Sequence, residues 1–378
     1  MGTLDQAKID QLRERAQREI DQGTLPSCQL ALAIDGEIVL HEVYGDATLD
    51  TRYVVFSATK PVVASAAWIL VQEGRLDVGN KVVDYIPEFA TNGKDEVTVE
   101  QVMTFTSGFP HAPMGPPQWW TRQGRVERMA QWRLNWEPGT RYEYHATSAH
   151  WVLAEIVDRI IDGDYRDFIA ERITGPLGIG DRLQVGVPKG PQQDNIATLH
   201  KVGTPADPEE LQKALGISQL PITEVTDDNL MKHNHPDFRA LGVPGGGGVS
   251  DATGLALFYQ ALLHNQAGIW KPDLLHDVTT NVRNTLTERL GNYPINYTLG
   301  LRKAGDDGYS HMRGFGRTVS PQAFGHNGAA GQLAWADPAT GLSFVYLTNG
   351  IEANTLTQAR RGVALGSIAA QTRESAQA

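Results

Sequence analysis

The sequence contains a single cysteine, Cys28, among its 378 residues. One thiol cannot form an intrachain disulfide, and the alternating run PSCQLALAI around it predicts a buried, unreactive side chain. No apolar run reaches the roughly 20 residues that a membrane-spanning helix requires. The N-terminal stretch MGTLDQAKIDQLRERAQREIDQG is charged and lacks the apolar core of a secretory signal. These absences argue against a membrane partner, and we expect a cytoplasmic protein.

Basic residues are in the minority. The chain has 33 lysines and arginines against 44 acidic residues, a formal net charge of −11. Nucleic acids and anionic membranes bind basic faces, so this charge disfavours both as partners. The sequence has neither H-E-x-x-H nor a cysteine pair, and loop histidines such as His233 and His235 are usually solvated rather than metal-bound. We expect a small-molecule substrate and no metal or cofactor, and the pattern specifies no oligomeric state.

The distribution of apolar residues predicts an α+β fold. After an N-terminal helical stretch, QLALAIDGEIVLHEVYG contains two strand-like runs joined by Asp35-Gly36, a strong hairpin signal. Near the C-terminus, GQLAWAD and LSFVYLTNG read as strands. This predicts an antiparallel β-sheet flanked by helices, built from both chain ends, with an inserted all-helical lobe. We assign residues 1–81 and 241–378 to the sheet lobe and 82–240 to the mostly helical lobe.

The stretch VVFSATKPVVASAAWIL has a serine and a lysine at the N-terminal end of a predicted apolar helix. Ser57 and Lys60 are at positions i and i+3, which share one face of a helix. Since proline is tolerated only in a helix's first turn, Pro61 predicts that the helix begins at about Ser57. Burial would lower the pKa of Lys60 and allow it to act as a base toward the serine hydroxyl. A chance S-x-x-K, with Ser57 as a simple N-cap, is the alternative.

Two later stretches carry groups that would complete such a site. In EPGTRYEYHATSAHWVLAE, Tyr144 precedes a helical run, and a tyrosine whose pKa is lowered by cations can relay a proton. In FGHNGAAGQLAWAD, the residues from His326 to Gly328 are expected to begin a strand of small residues, from which a backbone N–H would complete an oxyanion hole with Ser57. Taken alone, Tyr144 and His326 are each more typical of packing residues.

In order and spacing, these three stretches resemble the motifs of the serine β-lactamase-like superfamily. That superfamily includes class C β-lactamases, DD-peptidases and family VIII carboxylesterases, and its pattern is S-x-x-K, then Y-x-N after PGT, then K-T-G or H-x-G. Three further stretches are also typical of the superfamily: EGRLDVGNKVVDYIPEF, VTVEQVMTFTSGFP and GVPGGGGVSDATGLALF. The resemblance therefore extends from about residue 25 to about residue 365. It implies an antiparallel sheet flanked by helices, an all-helical lobe, and a site between them.

The resemblance implies a role for each motif. Ser57 would be the acyl-accepting nucleophile, Lys60 its activating partner and Tyr144 the proton relay. The backbone amides of Ser57 and Ala329 would form the oxyanion hole. No cofactor is implied.

The sequence departs from the family pattern in two motifs. The second motif places His145 and then alanine after the tyrosine, so the asparagine that contacts a β-lactam side-chain amide is missing, and His145 is the remaining substrate-binding candidate there. The third motif, held by His326, Asn327 and Gly328, has histidine in place of lysine. The fixed cation for a substrate carboxylate is therefore lost or made pH-dependent. Both departures weaken the prediction of a β-lactamase and favour an ester substrate that has no carboxylate group.

Four tryptophans of the middle segment offer an apolar pocket: Trp119, Trp120, Trp132 and Trp136. They either line the acyl or alcohol site or form the core of the helical lobe. We take Trp119 and Trp120 as substrate-binding candidates.

The sequence thus predicts a serine hydrolase that cleaves carboxylic esters through an acyl-serine intermediate. A β-lactamase, a D-amino-acid peptidase or amidase, and an acyltransferase on the same scaffold remain open, as does a non-catalytic acyl-binding sensor. G-V-S-D-A at 248–252 approaches the nucleophile elbow of α/β-hydrolases but lacks its last glycine. The glycines at 245–248 lack the G-K-[ST] of a phosphate loop.

Overall fold

A computed structural model describes residues 4–220 and 224–373 of the chain. Within these residues the chain forms twelve α-helices and thirteen β-strands. The helices are α1 (Gln6–Asp21), α2 (Lys60–Gln72), α3 (Val99–Met103), α4 (Arg122–Gln131), α5 (Ser148–Ile161), α6 (Tyr165–Ile169), α7 (Pro208–Leu215), α8 (Asp227–Met231), α9 (Pro236–Leu241), α10 (Ala252–His264), α11 (Pro272–Thr280) and α12 (Thr355–Ala370). The strands are β1 (Ser27–Ile34), β2 (Glu37–Gly45), β3 (Tyr53–Val54), β4 (Leu183–Val185), β5 (His200–Val202), β6 (Gly248–Ser250), β7 (Thr287–Glu288), β8 (Tyr293–Pro294), β9 (Arg302–Lys303), β10 (Phe324–Gly325), β11 (Leu333–Asp337), β12 (Leu342–Thr348) and β13 (Gly350–Glu352). In this described part, no helix has the length and apolar character needed to cross a membrane.

The six-stranded sheet draws on both ends of the chain. Its strand order is β2-β1-β12-β11-β10-β9, and each neighbouring pair is antiparallel. β1 and β12 pair from Cys28 opposite Thr348 to Ile34 opposite Leu342, which joins the two chain ends. The predicted α+β fold class is therefore confirmed.

The hairpin between β1 and β2 turns at Asp35 and Gly36. Their φ angles are 52° and 84°, and two consecutive positive φ values are the signature of a type I′ turn. That turn matches the right-handed twist of the flanking strands, so the Asp-Gly prediction of a hairpin is confirmed.

The two faces of the sheet contribute to different cores, because successive strand residues point to opposite sides. The face toward α1 and α12 carries mostly large side chains, namely Leu30, Leu32, Leu333, Trp335, Phe344 and Tyr346. The face toward α10 carries smaller ones, namely Ala31, Ala33, Ala334, Ala336, Val345 and Leu347. Small side chains let α10 lie close to β1, β11 and β12.

The segment between residues 82 and 240 includes α3 to α8 and all but the last residue of α9, with loops between them. It also contains two short strands. β4 joins β6 and β3 in a three-stranded antiparallel sheet, and β5 pairs in parallel with β13. These pairings connect the segment to the parts of the chain before and after it. One of the strands involved, β3, directly precedes the turn into α2. The division of the chain into lobes at 81/82 and 240/241 stays a prediction.

Cys28 lies in β1 and is a free, buried thiol. The prediction that it is buried is confirmed. Burial raises its pKa to about 12, which disfavours the reactive thiolate; that the thiol is unreactive stays a prediction.

Candidate active site

Ser57 lies on a short 3₁₀ segment between β3 and α2. This segment spans Phe56–Thr59, and α2 starts at Lys60 with Pro61 in its first turn. The prediction that the helix begins at Ser57 is therefore wrong. Because Pro61 has no N–H to give the Ser57 carbonyl, that carbonyl accepts instead from the Lys60 N–H, an i to i+3 bond.

The residue before the serine has an unusual backbone conformation. Phe56 has a φ of 46°, which costs a non-glycine residue on the order of 1 kcal/mol. Thr59 holds the turn, since its Oγ1 donates to Phe56 O at 2.6 Å and accepts from Gly248 N at 2.8 Å. The Phe56 ring also packs edge-on against His233, with centroids 5.3 Å apart. The strained turn is thus supported from two sides and presents Ser57 to open space.

Lys60 is fully buried beneath Ser57. Its Nζ donates to Ser57 Oγ at 3.2 Å, to Ala146 O at 2.7 Å and to Gly245 O at 2.6 Å. Burial lowers the pKa of this amine to about 7. In its neutral form, Lys60 keeps two N–H donors for the carbonyls of Ala146 and Gly245, and its lone pair can accept the Ser57 proton.

The glycine run at 245–248 packs against this lysine. A Cβ on Gly245 would lie 2.8 Å from Ala146 O and 3.3 Å from Lys60 Nζ, so glycine is required for the backbone to approach them. The nearby Ser250 is buried in β6, and its Oγ donates to Asp251 O at 2.7 Å. Neither a phosphate loop nor an exposed nucleophile elbow fits this segment.

Tyr144 covers the other side of Lys60. The ammonium lies 5.0 Å from the centroid of the tyrosine ring, and the Arg302 guanidinium carbon lies 5.6 Å from it. The hydroxyl is buried and makes no hydrogen bond of regular geometry, but it lies close enough to Ser57 for the serine to lower its pKa. Burial raises the pKa of Tyr144 to about 12, although Arg302 opposes this. A cation does lower the pKa of Tyr144, as the proton-relay role requires, but burial outweighs Arg302, so the phenol keeps its proton at neutral pH.

The third motif approaches Ser57 from the sheet. It follows β10 and leads through a 3₁₀ turn, where Ala330 has a φ of 59°, into β11. The motif therefore connects two strands, and the prediction that it begins a strand is wrong because this left-handed residue reverses the chain. A Cβ on Gly328 would lie only 2.2 Å from Val55 O. Only glycine permits this approach, which brings Ala329 and Ser57 to the same cavities.

His326 is part of a buried hydrogen-bonded chain. Arg302 Nε donates to Tyr297 Oη at 2.8 Å, and that oxygen lies 3.0 Å from His326 Nε2. His326 Nδ1 lies 2.8 Å from Asn327 O, so Nδ1 carries the proton and Nε2 accepts from the phenol. Burial, followed by the charge of Arg302, holds the pKa of His326 well below its usual range. His326 is therefore neutral and does not supply the cation that lysine provides at this position in the family pattern. The fixed positive charge beside it is Arg302.

Two cavities meet at Ser57. The first, the aromatic cavity, has a volume of about 250 Å³ and is lined by residues that include Phe56, Trp119, Trp151, Glu224, His233 and Phe238. The second, the arginine cavity, has a volume of about 320 Å³ and is lined by residues that include Tyr144, Arg302, His326, Asn327, Gly328 and Gln332. Ser57, Val225 and Ala329 line both cavities. A carbonyl at Ser57 could therefore extend one substituent into each.

Two substrate-binding candidates lie away from these cavities. His145 is fully buried, and its Nε2 lies 3.1 Å from both Ser107 Oγ and Phe109 N. Burial lowers its pKa to about 3, so it is a neutral core histidine. Trp120 is 47% exposed and faces a different depression, which it shares with Arg125.

Of the four tryptophans, one takes each of the two roles that the sequence left open, and Trp120 and Trp136 take neither. Trp119 lines the aromatic cavity. Trp132 is core, because it is buried and stacks on Phe109 with centroids 5.7 Å apart. Trp136 is partly buried, with the Arg141 guanidinium 4.6 Å from its ring.

Sequence reasoning missed Arg302, Tyr297, Trp151 and Glu224. Arg302 lies opposite Gly325 in the pairing of β9 with β10, a register that the distance along the chain does not reveal. Trp151 follows the second motif closely and could have been found from HWVLAE at the start of α5. Glu224 lies in a loop with no periodic signal.

Comparisons with known proteins agree with this geometry. A family model described as Beta-lactamase matches residues 7–366. A protein of Salmonella agona (strain SL483), provisionally named a D-alanyl-D-alanine carboxypeptidase, is 26% identical over 92% of this chain and 83% of its own. A penicillin-binding protein homologue from Caulobacter crescentus has a TM-score of 0.77 at 25% identity, with 98% of each chain covered. A family VIII carboxylesterase has a TM-score of 0.75 at 23% identity, also with 98% of each chain covered.

The fold, together with a serine in contact with a buried lysine, defines a serine hydrolase. The chain belongs to the β-lactamase family, whose model matches nearly its whole length. The resemblance drawn from the three motifs is thereby confirmed. The relatives carry the names of different activities, so family membership alone does not specify the substrate.

Proposed function

We propose that the protein is a carboxylesterase that acts through an acyl-Ser57 intermediate. The observation that carries this proposal is the 3.2 Å contact between Lys60 Nζ and Ser57 Oγ, at an amine whose pKa burial lowers to about 7. An unprotonated amine at hydrogen-bond distance can take the hydroxyl proton and so activate a weak nucleophile. The cavities on either side of Ser57 supply separate room for an acyl group and an alcohol.

Acylation would proceed in two steps. Ser57 Oγ attacks the ester carbonyl carbon while its proton passes to Lys60 Nζ, and the carbonyl oxygen becomes an oxyanion facing the amides of Ser57 and Ala329. The C–O bond to the alcohol then breaks, and the departing oxygen receives a proton. Tyr144 is suited to deliver that proton because it is a neutral phenol beside the Lys60 ammonium, from which it is reprotonated.

Deacylation would reverse these proton transfers. A water molecule takes the place of the alcohol and gives a proton to Lys60 as its oxygen attacks the acyl carbon. Collapse of the second tetrahedral intermediate breaks the bond to Ser57 Oγ, which recovers the proton. The acid is released and Lys60 is again unprotonated, so one water is consumed in each cycle.

Two features of this chain favour an ester over a β-lactam. Position 146 is alanine, and its carbonyl is already occupied by Lys60 Nζ at 2.7 Å. Position 326 is a histidine kept neutral by burial and by the charge of Arg302. The amide and carboxylate groups that a β-lactam presents therefore lose the partners that the family pattern supplies at these two positions.

Hydrolysis of para-nitrophenyl butyrate tests the proposal directly. Ser57→Ala should reduce kcat/KM by about 10³-fold or more, because the nucleophile is lost. Ser65→Ala is the matched control: Ser65 is buried on the same helix, and its Oγ donates to Val62 O at 2.7 Å. Equal rates for wild type and Ser57→Ala would refute the assignment.

A D-alanyl-D-alanine carboxypeptidase is the second candidate, and Arg302 is the observation that favours it. Its guanidinium lines the cavity beside the third motif and could pair with the terminal carboxylate of a peptide, a geometry that arginine supports well. This would restore the cation that is missing at position 326.

Release of D-alanine from an N-acetylated D-alanyl-D-alanine peptide separates the two candidates. An esterase should show a higher kcat/KM on para-nitrophenyl butyrate than on the peptide. A higher value on the peptide, lowered by Arg302→Gln, would establish the carboxypeptidase instead. Lys303→Gln is the control, since Lys303 is the neighbouring strand residue and its Nζ donates to Gln322 O at 2.7 Å.

A further inference from the structure

Glu224 places a carboxylate in the wall of the aromatic cavity. Its side chain is partly buried, and its Oε1 accepts from Thr147 N and from Thr147 Oγ1, both at 2.9 Å. Among the ion pairs of the described residues, none within 4.0 Å involves Glu224. The fold therefore orients a negative charge toward the cavity without supplying a cation to neutralise it.

The positive groups nearest to this carboxylate are engaged elsewhere. Lys60 directs its three hydrogen bonds to Ser57, Ala146 and Gly245. His111 Nε2 lies 2.7 Å from Glu143 Oε1. Burial raises the pKa of Glu224, and the hydrogen bonds from Thr147, followed by Lys60 and His111 at a distance, oppose this rise.

Two other titratable groups line the cavity. His233 is buried, and burial lowers its pKa to about 4, so it is neutral at physiological pH. Lys232 is exposed and its Nζ donates to Asn229 Oδ1 at 2.7 Å. Solvent screens an exposed ammonium far more than a partly buried carboxylate. When Glu224 is ionised, its charge is therefore the least screened one in the wall of the cavity.

Aromatic rings form much of the remaining wall. His233 and Phe238 meet edge-to-face with centroids 4.6 Å apart, and Phe238 and Trp119 do so at 5.0 Å. Trp151 and Phe56 also line the space. The faces of such rings attract cations, and most strongly those that are poorly hydrated, such as quaternary ammonium groups.

We propose that the aromatic cavity is a binding site for a cationic acyl group, so that the preferred ester carries an ammonium at the end of a short acyl chain. Glu224 pairs with the charge and the aromatic rings cover its alkyl substituents. The cavity volume of about 250 Å³ restricts the chain to a few carbons. This inference rests on the proposed esterase function, since it assigns the acyl group to the aromatic cavity and the alcohol to the arginine cavity.

A pair of isosteric esters tests this specificity. One is the para-nitrophenyl ester of γ-trimethylammoniobutyric acid, and the other has a quaternary carbon in place of the nitrogen. After correction for buffer hydrolysis, wild type at low ionic strength should show a kcat/KM at least about tenfold higher for the cationic ester. Glu224→Gln keeps an acceptor for Thr147 but removes the charge, so the ratio of the two values should fall about tenfold, toward one.

The controls separate this inference from the function on which it rests. Glu209→Gln removes one charge from an exposed position of α7 and should leave the ratio unchanged. If Ser57-dependent hydrolysis of the neutral ester is seen but wild type prefers it over the cationic one, the cation site is refuted while the esterase stands.

A binding measurement covers the remaining case, in which neither ester is hydrolysed and the esterase proposal itself fails. Calorimetric titration with butyltrimethylammonium should then give saturable binding to wild type, weakened about tenfold in Glu224→Gln. Equal binding to both proteins, or none to wild type, would overturn the cation site independently of catalysis.

Discussion

Lys60 and Lys94 are two lysines with no exposed surface, although Lys94 lies nearer the outside of the protein, against the exposed Thr91. Burial lowers the pKa of Lys60 to about 7 and that of Lys94 to about 8. Each donates three hydrogen bonds; those of Lys94 go to Thr91 O, Thr91 Oγ1 and Trp132 O, each at 2.8 Å. By the direction of the pKa shift alone, both lysines are candidates for a catalytic base.

Lys60 and Lys94 differ in the chemistry of the groups that accept their hydrogen bonds. For Lys60, one of these groups is the Ser57 hydroxyl, which opens onto two cavities and faces the third motif. The acceptors of Lys94 belong to a surface loop and to the C-cap of α4, so Lys94 holds that loop in place. A perturbed pKa therefore marks a site only where a nucleophile and space for a substrate adjoin it.

Replacing each lysine by methionine tests this difference and should give the largest effect. Lys60→Met should lower kcat/KM for para-nitrophenyl butyrate by about 10³-fold, because no group is left to take the Ser57 proton. Lys94→Met should retain activity within about threefold of wild type, as expected for a residue outside the reacting groups. Similar activity losses in both variants would contradict the distinction.

Gly328→Ala should break the site without touching either lysine. The added Cβ would meet Val55 O at 2.2 Å, so the third motif must move away from Ser57. Loss of one oxyanion donor costs about 10²-fold or more in kcat. Gly163→Ala is the control, since its nearest contact would be an ordinary 3.4 Å to Ile161. Full activity in Gly328→Ala would show that the Ala329 amide does not contribute.

The pH dependence of kcat/KM should show which of the two lysines acts as the base. Lys60 acts as a base only when neutral, and because its pKa is lowered to about 7, kcat/KM should fall about tenfold per pH unit below pH 7. Above about pH 8 the profile should be flat to about pH 10, because Tyr144 keeps its proton until about 12. Lys94→Met should show the same profile. A rise centred near the ordinary lysine pKa would contradict a Lys60 base whose pKa is lowered by burial.

The smallest expected difference is in stability. Lys60→Met removes the side-chain donor of the buried carbonyls of Ala146 and Gly245. In Lys94→Met, Thr91 O still accepts from the backbone N–H at position 94, and Trp132 O still accepts from Asn92 Nδ2. Lys60→Met should therefore lose about 1–3 kcal/mol in the free energy of unfolding, and Lys94→Met about 1 kcal/mol or less, measured by urea denaturation. A loss of this size in Lys60→Met, with the protein still folded, would locate its activity loss in the chemistry. A much larger loss in Lys60→Met would point to unfolding.

The sequence was sufficient for the parts of the fold governed by local rules. Asp35-Gly36 specified a type I′ hairpin because few other residues accept two positive φ values. Alternation in β1, β11 and β12 identified the sheet that joins the chain ends. The start of α2 was misplaced because Pro61 acts at a distance of four residues, on the carbonyl of Ser57.

The site was predictable only where its residues are close in sequence. Ser57 and Lys60 are three positions apart, so their contact follows from helical spacing. Arg302 became visible only through its register opposite Gly325, and Glu224 only through loop packing against Thr147. His145 was assigned to the site because it adjoins Tyr144 in sequence, although its side chain turns into the core.

The central claim is that Ser57 is the nucleophile and that Lys60 activates it. Reaction with an alkyl fluorophosphonate, followed by intact-protein mass and peptide mapping, tests this most directly. We predict one adduct per chain, on Ser57, that forms about 10³-fold more slowly in Lys60→Met and at an unchanged rate in Lys94→Met. An adduct on a different residue, or equal rates in the two methionine variants, would contradict the account.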